Sequence, residues 1–237
     1  MIAVFVNMFA VILGSGLGIL FRSRIRETLI SSVIKALALV TVTIAITNMI
    51  GTEDILCVIV CMVLGTVIGE SLRLDARLDN AGDFIKNKLL RGKGTNGRFA
   101  EGFSTSCILF CVGSMTIMGS FQAGIHGDYS IIFAKSALDF VSSIAFGAAM
   151  GLGVTASALF VLVFQGALTL LATALAPYLS ASVVAEMSAV GGVVLFGMGI
   201  NMLELSETRL KVSNMLPAVI LPLAYMPFSQ WIISFLS

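Results

Sequence analysis

Lys135 and Asp139 lie in one apolar run, 130–152, at a spacing that puts both side chains on the same face of a helix. If that helix crosses a bilayer, Asp139 is about nine residues into it, near 13 Å deep at 1.5 Å per residue. Holding an ionisable group there costs several kcal/mol, so it is kept either as half of a structural ion pair or for function. In the functional case Asp139 exchanges a proton or holds a cation, and Lys135 supplies the counter-charge. Asn7, Gln165, Asn201 and Ser143, with Ser142, Ser114 and Gln122, add hydrogen-bonding groups in other apolar runs. Such groups either line a polar path or hold helices together.

Other chemistries are poorly supplied. A single histidine excludes a three-histidine zinc site, and no nucleophile stands in a recognisable set with a base; neither enzyme nor cofactor is expected. Cys57/Cys61 and Cys107/Cys111 repeat at i, i+4 instead of the C-x-x-C of structural zinc, and read as small apolar packing residues. Glu186 opens the seventh apolar run, where a helix N-terminus stabilises a carboxylate. His126 and Asp128 stand in a connection with no evident partner.

The elements that position these residues are built for a solvent other than water. Of 237 residues, 58% are hydrophobic and 11% charged, and the mean hydropathy is +1.04. A soluble domain carries roughly 25% charged residues. A net charge of +1 gives no bulk attraction to nucleic acid. The apolar runs are 2–21, 33–50, 55–72, 104–125, 130–152, 154–176, 187–203 and 216–236. Most reach the ~20 residues that cross a hydrocarbon core, and 55–72 and 187–203 sit at the lower limit of about 17. The expected fold class is an all-α integral membrane protein of about eight transmembrane helices. No basic n-region or A-x-A site accompanies the first run, so a retained helix is expected there.

Charge sorts the connections into two sets. Arg22, Arg24 and Arg26 follow the first run, Arg73 to Arg98 separate the third and fourth, and Arg209 and Lys211 separate the seventh and eighth. Connections 51–54, 126–129 and 177–186 contain no Lys or Arg. The positive-inside rule then places the basic loops in the cytoplasm and both termini outside. Lys35 and Glu70 fall near the basic ends of their runs and can snorkel. Within 73–103, Leu74, Leu78, Ala81, Ile85 and Leu89 recur at helical spacing, which predicts an amphipathic helix on the membrane surface. The basic turn 91–98 lacks the spacing of a phosphate loop and reads as a contact for anionic lipid.

Sliding the first half onto the second lays Asn7 on Asp139, Gly65 on Gly197 and Arg77-Leu78 on Arg209-Leu210. One residue further, Gly14-x-x-x-Gly18 falls on Gly147-x-x-x-Gly151. The chain therefore divides into halves 1–125 and 126–237, a parallel internal repeat of four plus four spans. On this register Asn7 joins Asp139 in a central site lined by both halves. The G-x-x-x-G faces, Gly65/Gly69 included, let helix backbones approach closely, and suggest a homodimer if they meet between chains. Pro217, Pro222 and Pro227 should kink the last span.

Phe110-Cys-Val-Gly-Ser-Met115 with Gly119-Ser120, Lys135-Ser-x-x-Asp139, Gln165-Gly166, Ala189-Val-Gly-Gly192 and Lys211-x-x-Asn214-x-x-Pro217 together resemble a bacterial family of uncharacterised membrane proteins, the YdfK/YqgA-like family. The resemblance covers essentially the whole chain. It implies a polytopic protein of the bacterial inner membrane and brings no substrate or catalytic residue. The chain departs from it at Phe140, where a glycine is expected after the aspartate.

The residues themselves favour a secondary transporter or exchanger for a small polar or ionic solute. Asp139 and Lys135 would form its midplane site, with Asn7, Gln165, Asn201 and Ser143 around them. A channel and a non-transporting scaffold acting through 73–103 are the alternatives. The partners expected are the lipid bilayer and the solute, with no nucleic acid.

Overall fold

In hydrocarbon each backbone polar group must be satisfied within its own segment, which leaves the helix as the form for an isolated span. The computed structural model describes residues 1–22, 27–78, 80, 84 and 98–236, and among these the only regular structure is helical. In chain order the helices are α1 (Ile2–Arg22), α2 (Glu27–Ile50), α3 (Ile55–Leu72), α4 (Arg98–Cys111), α5 (Ser114–Ile125), α6 (Ser130–Met150), α7 (Leu152–Leu175) and α8 (Ala181–Met202). A 3-10 helix (Val212–Val219) and α9 (Pro222–Leu236) complete the fold. Among the described residues six helices are long and apolar enough to cross a membrane, and the total reaches eight if each bent pair counts as one span. The two bent pairs are α4/α5, at 58°, and the 3-10 helix with α9, at 43°.

Local chemistry explains where the helices start and stop. Asp54 caps α3, accepting from the N–H groups of Leu56 and Cys57 at 3.0 and 3.2 Å, so α3 covers the run 55–72 without extension. The seventh span begins at Ala181 and not at 187, because the Ser180 hydroxyl caps the Val183 N–H at 3.3 Å. Gly151, at φ 79°, makes the tight reversal between α6 and α7 in a backbone region that favours glycine. The fourth span, expected to be continuous over 104–125, is broken at Val112-Gly113. The break expected in the last span falls just before Pro222, which lacks the N–H needed to continue the preceding turn. Of the amphipathic helix expected over 73–103, residues 74–78 are helical; Ala81, Ile85, Leu89 and the basic turn up to Gly97 lie outside the described residues, as do Arg24 and Arg26.

Glycine sets the packing. Gly14 lies on the Phe140 carbonyl and Ser143, Gly18 on the Ile144 carbonyl and Ala148, and Gly147 on the Ser15 backbone. These contacts make α1 and α6 neighbours running parallel, so close that a methyl group at any of the three would strike backbone or a side-chain Cβ. Gly65 and Gly69 bring α3 equally close to Ala218 and Asn214 of the 3-10 helix. The faces that suggested a homodimer are therefore filled within one chain, and that argument for a second copy lapses.

The helices form two groups. In one, α1, α6 and α7 pack together and α4/α5 lie against α7; in the other, α2 and the 3-10 helix pack on α8, with α3 and α9 beside them. Each group draws helices from both halves of the sequence. In the apolar stretch of α8, 72% of residues are buried, against 17% to 39% in the other five long spans, so α8 is the central column of the second group. Contacts between the groups are sparse and follow a seam where α2 meets α6 and α8 meets α4/α5. The ends sort as the charges require. Glu186 binds the Thr52–Asp54 turn at the acidic end, while Lys211 binds Glu70 at the basic end.

Candidate functional site

Lys135 does not snorkel toward the nearer surface. It turns inward and donates to Asp139 Oδ2, and the two residues are 5% and 7% exposed. The Lys135 ammonium also lies 6.0 Å from the centroid of the Phe110 ring, within reach of a cation–π attraction. Asp139 and Lys135 face the break between α4 and α5. Gly119 packs on Ile131 and Ile132, and Gly102 on Met150, so α6 runs antiparallel to the broken span. The Lys135 ammonium and the Asp139 carboxylate meet beside Phe110, in the last turn of α4. The break is closed locally by Thr116, whose hydroxyl donates to the Phe110 carbonyl at 3.1 Å and whose N–H donates to the Gly113 carbonyl at 3.1 Å.

A cleft of about 200 Å³ opens over this arrangement. Its walls are α2 from Leu37 to Asn48, the Leu109–Thr116 break, and α6 from Lys135 to Phe146. It follows α2 for about 16 Å at 1.5 Å per residue, reaching the last turn before the acidic end. Thr41, Asn48, Thr116 and Ser142 are its other polar side chains. Val40, Ile44, Met115 and Leu138 at its rim are exposed, so the cleft also opens sideways between α2 and α6.

A second cavity, of about 90 Å³, lies at the basic end of the same seam. Asp75, Glu101, Ser104, Thr105, Arg209 and Ser213 make it polar. Ile108 borders this cavity and Leu109 and Phe110 border the first, so the partition between them is the last turn of α4. Ile108 and Phe110, in that turn, are almost fully buried.

The remaining residues singled out in the sequence are placed elsewhere. Asn7 meets Gln165, with Nδ2 donating to Oε1 at 3.0 Å, and the two join α1 to α7 instead of facing Asp139. Asn7 Oδ1 and Gln165 Nε2 are left without partners in a fully buried position, as is the Ser143 hydroxyl beside Gly14. Asn201 clamps the 203–211 loop, donating to the Leu210 carbonyl at 2.8 Å and accepting from its N–H at 2.9 Å, at the wall of the basic cavity. Both cysteine pairs are buried, free thiols within the packing, and no cluster of three or more His, Cys, Asp or Glu suited to a metal occurs among the described residues.

Two features were not read from the sequence. Glu186 is fully buried in the second turn of α8 and caps its neighbour, not its own helix. It accepts from the Thr52 hydroxyl at 2.8 Å and from the N–H groups of Glu53 and Asp54 at 2.6 and 3.0 Å, at the positive end of α3. Ser180, a capping residue six positions upstream, was the available signal. Asp128 has a partner after all. Ser130 donates to it through N–H at 2.9 Å and hydroxyl at 2.6 Å, which holds the Asp128 carboxyl below the usual carboxylate range.

Comparison with known proteins agrees with this membrane architecture. The chain is 28% identical over 220 residues to the uncharacterized membrane protein YdfK of Bacillus subtilis (strain 168), covering 91% of each chain. It is 30% identical over 219 residues to the uncharacterized protein YqgA of Escherichia coli (strain K12), covering 92% of each. No solved structure matches. The family model for a protein of unknown function, DUF554, matches residues 2–226, and the chain belongs to that family.

Proposed function

We propose that this membrane protein is a secondary transporter or exchanger of a small polar or ionic solute, with Asp139 and Lys135 at its central site. The observation that carries the reading is the pair of cavities on one seam, one at the basic end and one reaching toward the acidic end, with the last turn of α4, half of a broken helix, between them. Rocking of the two helix groups about that seam would close one cavity as it opens the other. Discontinuous helices in the fourth position of each half, α4/α5 and 3-10/α9, are where parallel-repeat transporters place substrate, and the parallel course of α1 and α6 is consistent with such a repeat. The basic end faces the cytoplasm by the positive-inside rule, in a bacterial inner membrane, with both termini outside. The test is solute uptake into proteoliposomes containing wild type or Asp139→Asn. Equal uptake by the two proteins removes Asp139 from the mechanism.

A further inference from the structure

We propose that the cavity at the basic end binds one alkali-metal cation, held between oxygen atoms of the two helix groups. Asp75 and Glu101 both line this cavity of about 90 Å³. Neither carboxylate forms an ion pair among the described residues, where the two salt bridges are Lys135–Asp139 and Lys211–Glu70. Thr105 and Ser213 line the same space and are each 3% exposed, and neither hydroxyl has a hydrogen-bond partner among the described residues. A buried polar group without a partner is costly, so two such hydroxyls beside two unpaired carboxylates point to a ligand among them. Local structure holds these donors in place. Glu101 and Thr105 stand i, i+4 on α4 and project from one face. Asp75 donates its N–H to Asn214 Oδ1 at 2.7 Å, and Asn214 also donates to Glu70, which fixes Asp75 beside the turn that carries Ser213. Because α4 belongs to the first helix group and α3 and the 3-10 helix to the second, a cation here ties the groups together across the seam.

Charge and size select the kind of cation. The charged side chains lining the cavity are Asp75, Glu101 and the exposed Arg209, two negative and one positive. Lys211 nearby is spent on Glu70, at 2.9 Å. One monovalent cation therefore brings the site to neutrality, and a divalent one overshoots it. Carboxylate and hydroxyl oxygens suit a hard ion, and no cluster of three or more His, Cys, Asp or Glu stands among the described residues to hold a transition metal. The cavity is several times the roughly 10–15 Å³ that one water needs, so the ion keeps part of its hydration. The site is separate from Asp139 and stands whether or not the chain carries a solute.

The experiment is thermal unfolding of the full chain in one detergent, titrated with sodium, potassium or magnesium chloride against N-methylglucamine chloride at constant ionic strength. Sodium or potassium should raise Tm saturably, by about 5–10 °C at a hundredfold excess over half-saturation. Glu101→Gln removes one carboxylate and should move half-saturation to about tenfold higher concentration or more, the loss of one charge-assisted contact. Arg209→Gln removes the positive charge at the rim and should move it the other way, a gain that a merely damaged fold would not produce. Wild type and Arg209→Gln keep the test open if Glu101→Gln does not fold. A Tm that neither alkali cation raises above its value in N-methylglucamine overturns the proposal. Magnesium half-saturating below both alkali cations overturns the monovalent assignment. Half-saturation that Glu101→Gln leaves in place, or that Arg209→Gln fails to lower, shows that the ion binds elsewhere.

Discussion

Breaking the buried ion pair from one side should cost far more than removing it whole. Asp139→Asn leaves the Lys135 ammonium, on a residue 5% exposed, with no carboxylate to neutralise it. Stranding one partner of such a pair costs about 3–5 kcal/mol. At roughly 2–4 °C per kcal/mol for a chain of this size, the expected fall in Tm is about 6–20 °C. Lys135→Met should fall by a similar amount, since it strands the carboxylate. The double variant Lys135→Met/Asp139→Leu carries no charge at these two positions, and its stability should return to the wild-type level or exceed it by about 1–4 kcal/mol. Thermal unfolding of the four proteins in one detergent makes the comparison, and uptake by the stable double variant then separates architecture from mechanism. Single variants as stable as wild type would refute the claim that the pair is desolvated. A stable double variant with undiminished uptake would show that the pair only holds helices.

Two further outcomes follow from the packing and from the loops. Gly18→Ala drives a methyl group into the Ile144 carbonyl and should cost about 1–3 kcal/mol, whereas Gly16→Ala, with nothing within 4 Å, should be neutral or gain up to about 1 kcal/mol; the two Tm values make the comparison. Because its folded-state pKa is lowered, Asp128 contributes stability that is present above the ordinary carboxylate pKa and lost as pH falls through the lowered value. The Tm difference between wild type and Asp128→Asn should therefore be largest near neutrality and vanish in acid, as followed by thermal unfolding across that range.

The spans were legible because bilayer thickness writes itself into the length of each apolar run; 55–72 became α3 without change. The i, i+4 spacing of Lys135 and Asp139 likewise predicted their contact, since helix geometry alone brings them together. Pairing across the fold was harder to read. Asn7 was assigned to Asp139 through a repeat register, yet hydrogen-bond demand is met by whichever amide lies opposite, and that is Gln165 on α7. The break at Val112-Gly113 had a local signal in the Gly113-Ser114 dipeptide, which weakens a helix, but hydropathy is blind to it. The grouping of α2 and α3 with α8 instead of with α1 depends on which small-residue faces fit which partners, and no periodicity along the chain encodes that.

The thinness of the wall between the two cavities has an electrical consequence. Where water reaches both sides of a short barrier, the transmembrane voltage drops mainly across that barrier and not evenly over the bilayer. Crossing one turn of α4 would then expose a net charge to most of the potential, about 2.3 kcal/mol per elementary charge at 100 mV. A cargo that is neutral overall would pass the same point without drawing current, so membrane polarisation would leave its exchange rate flat.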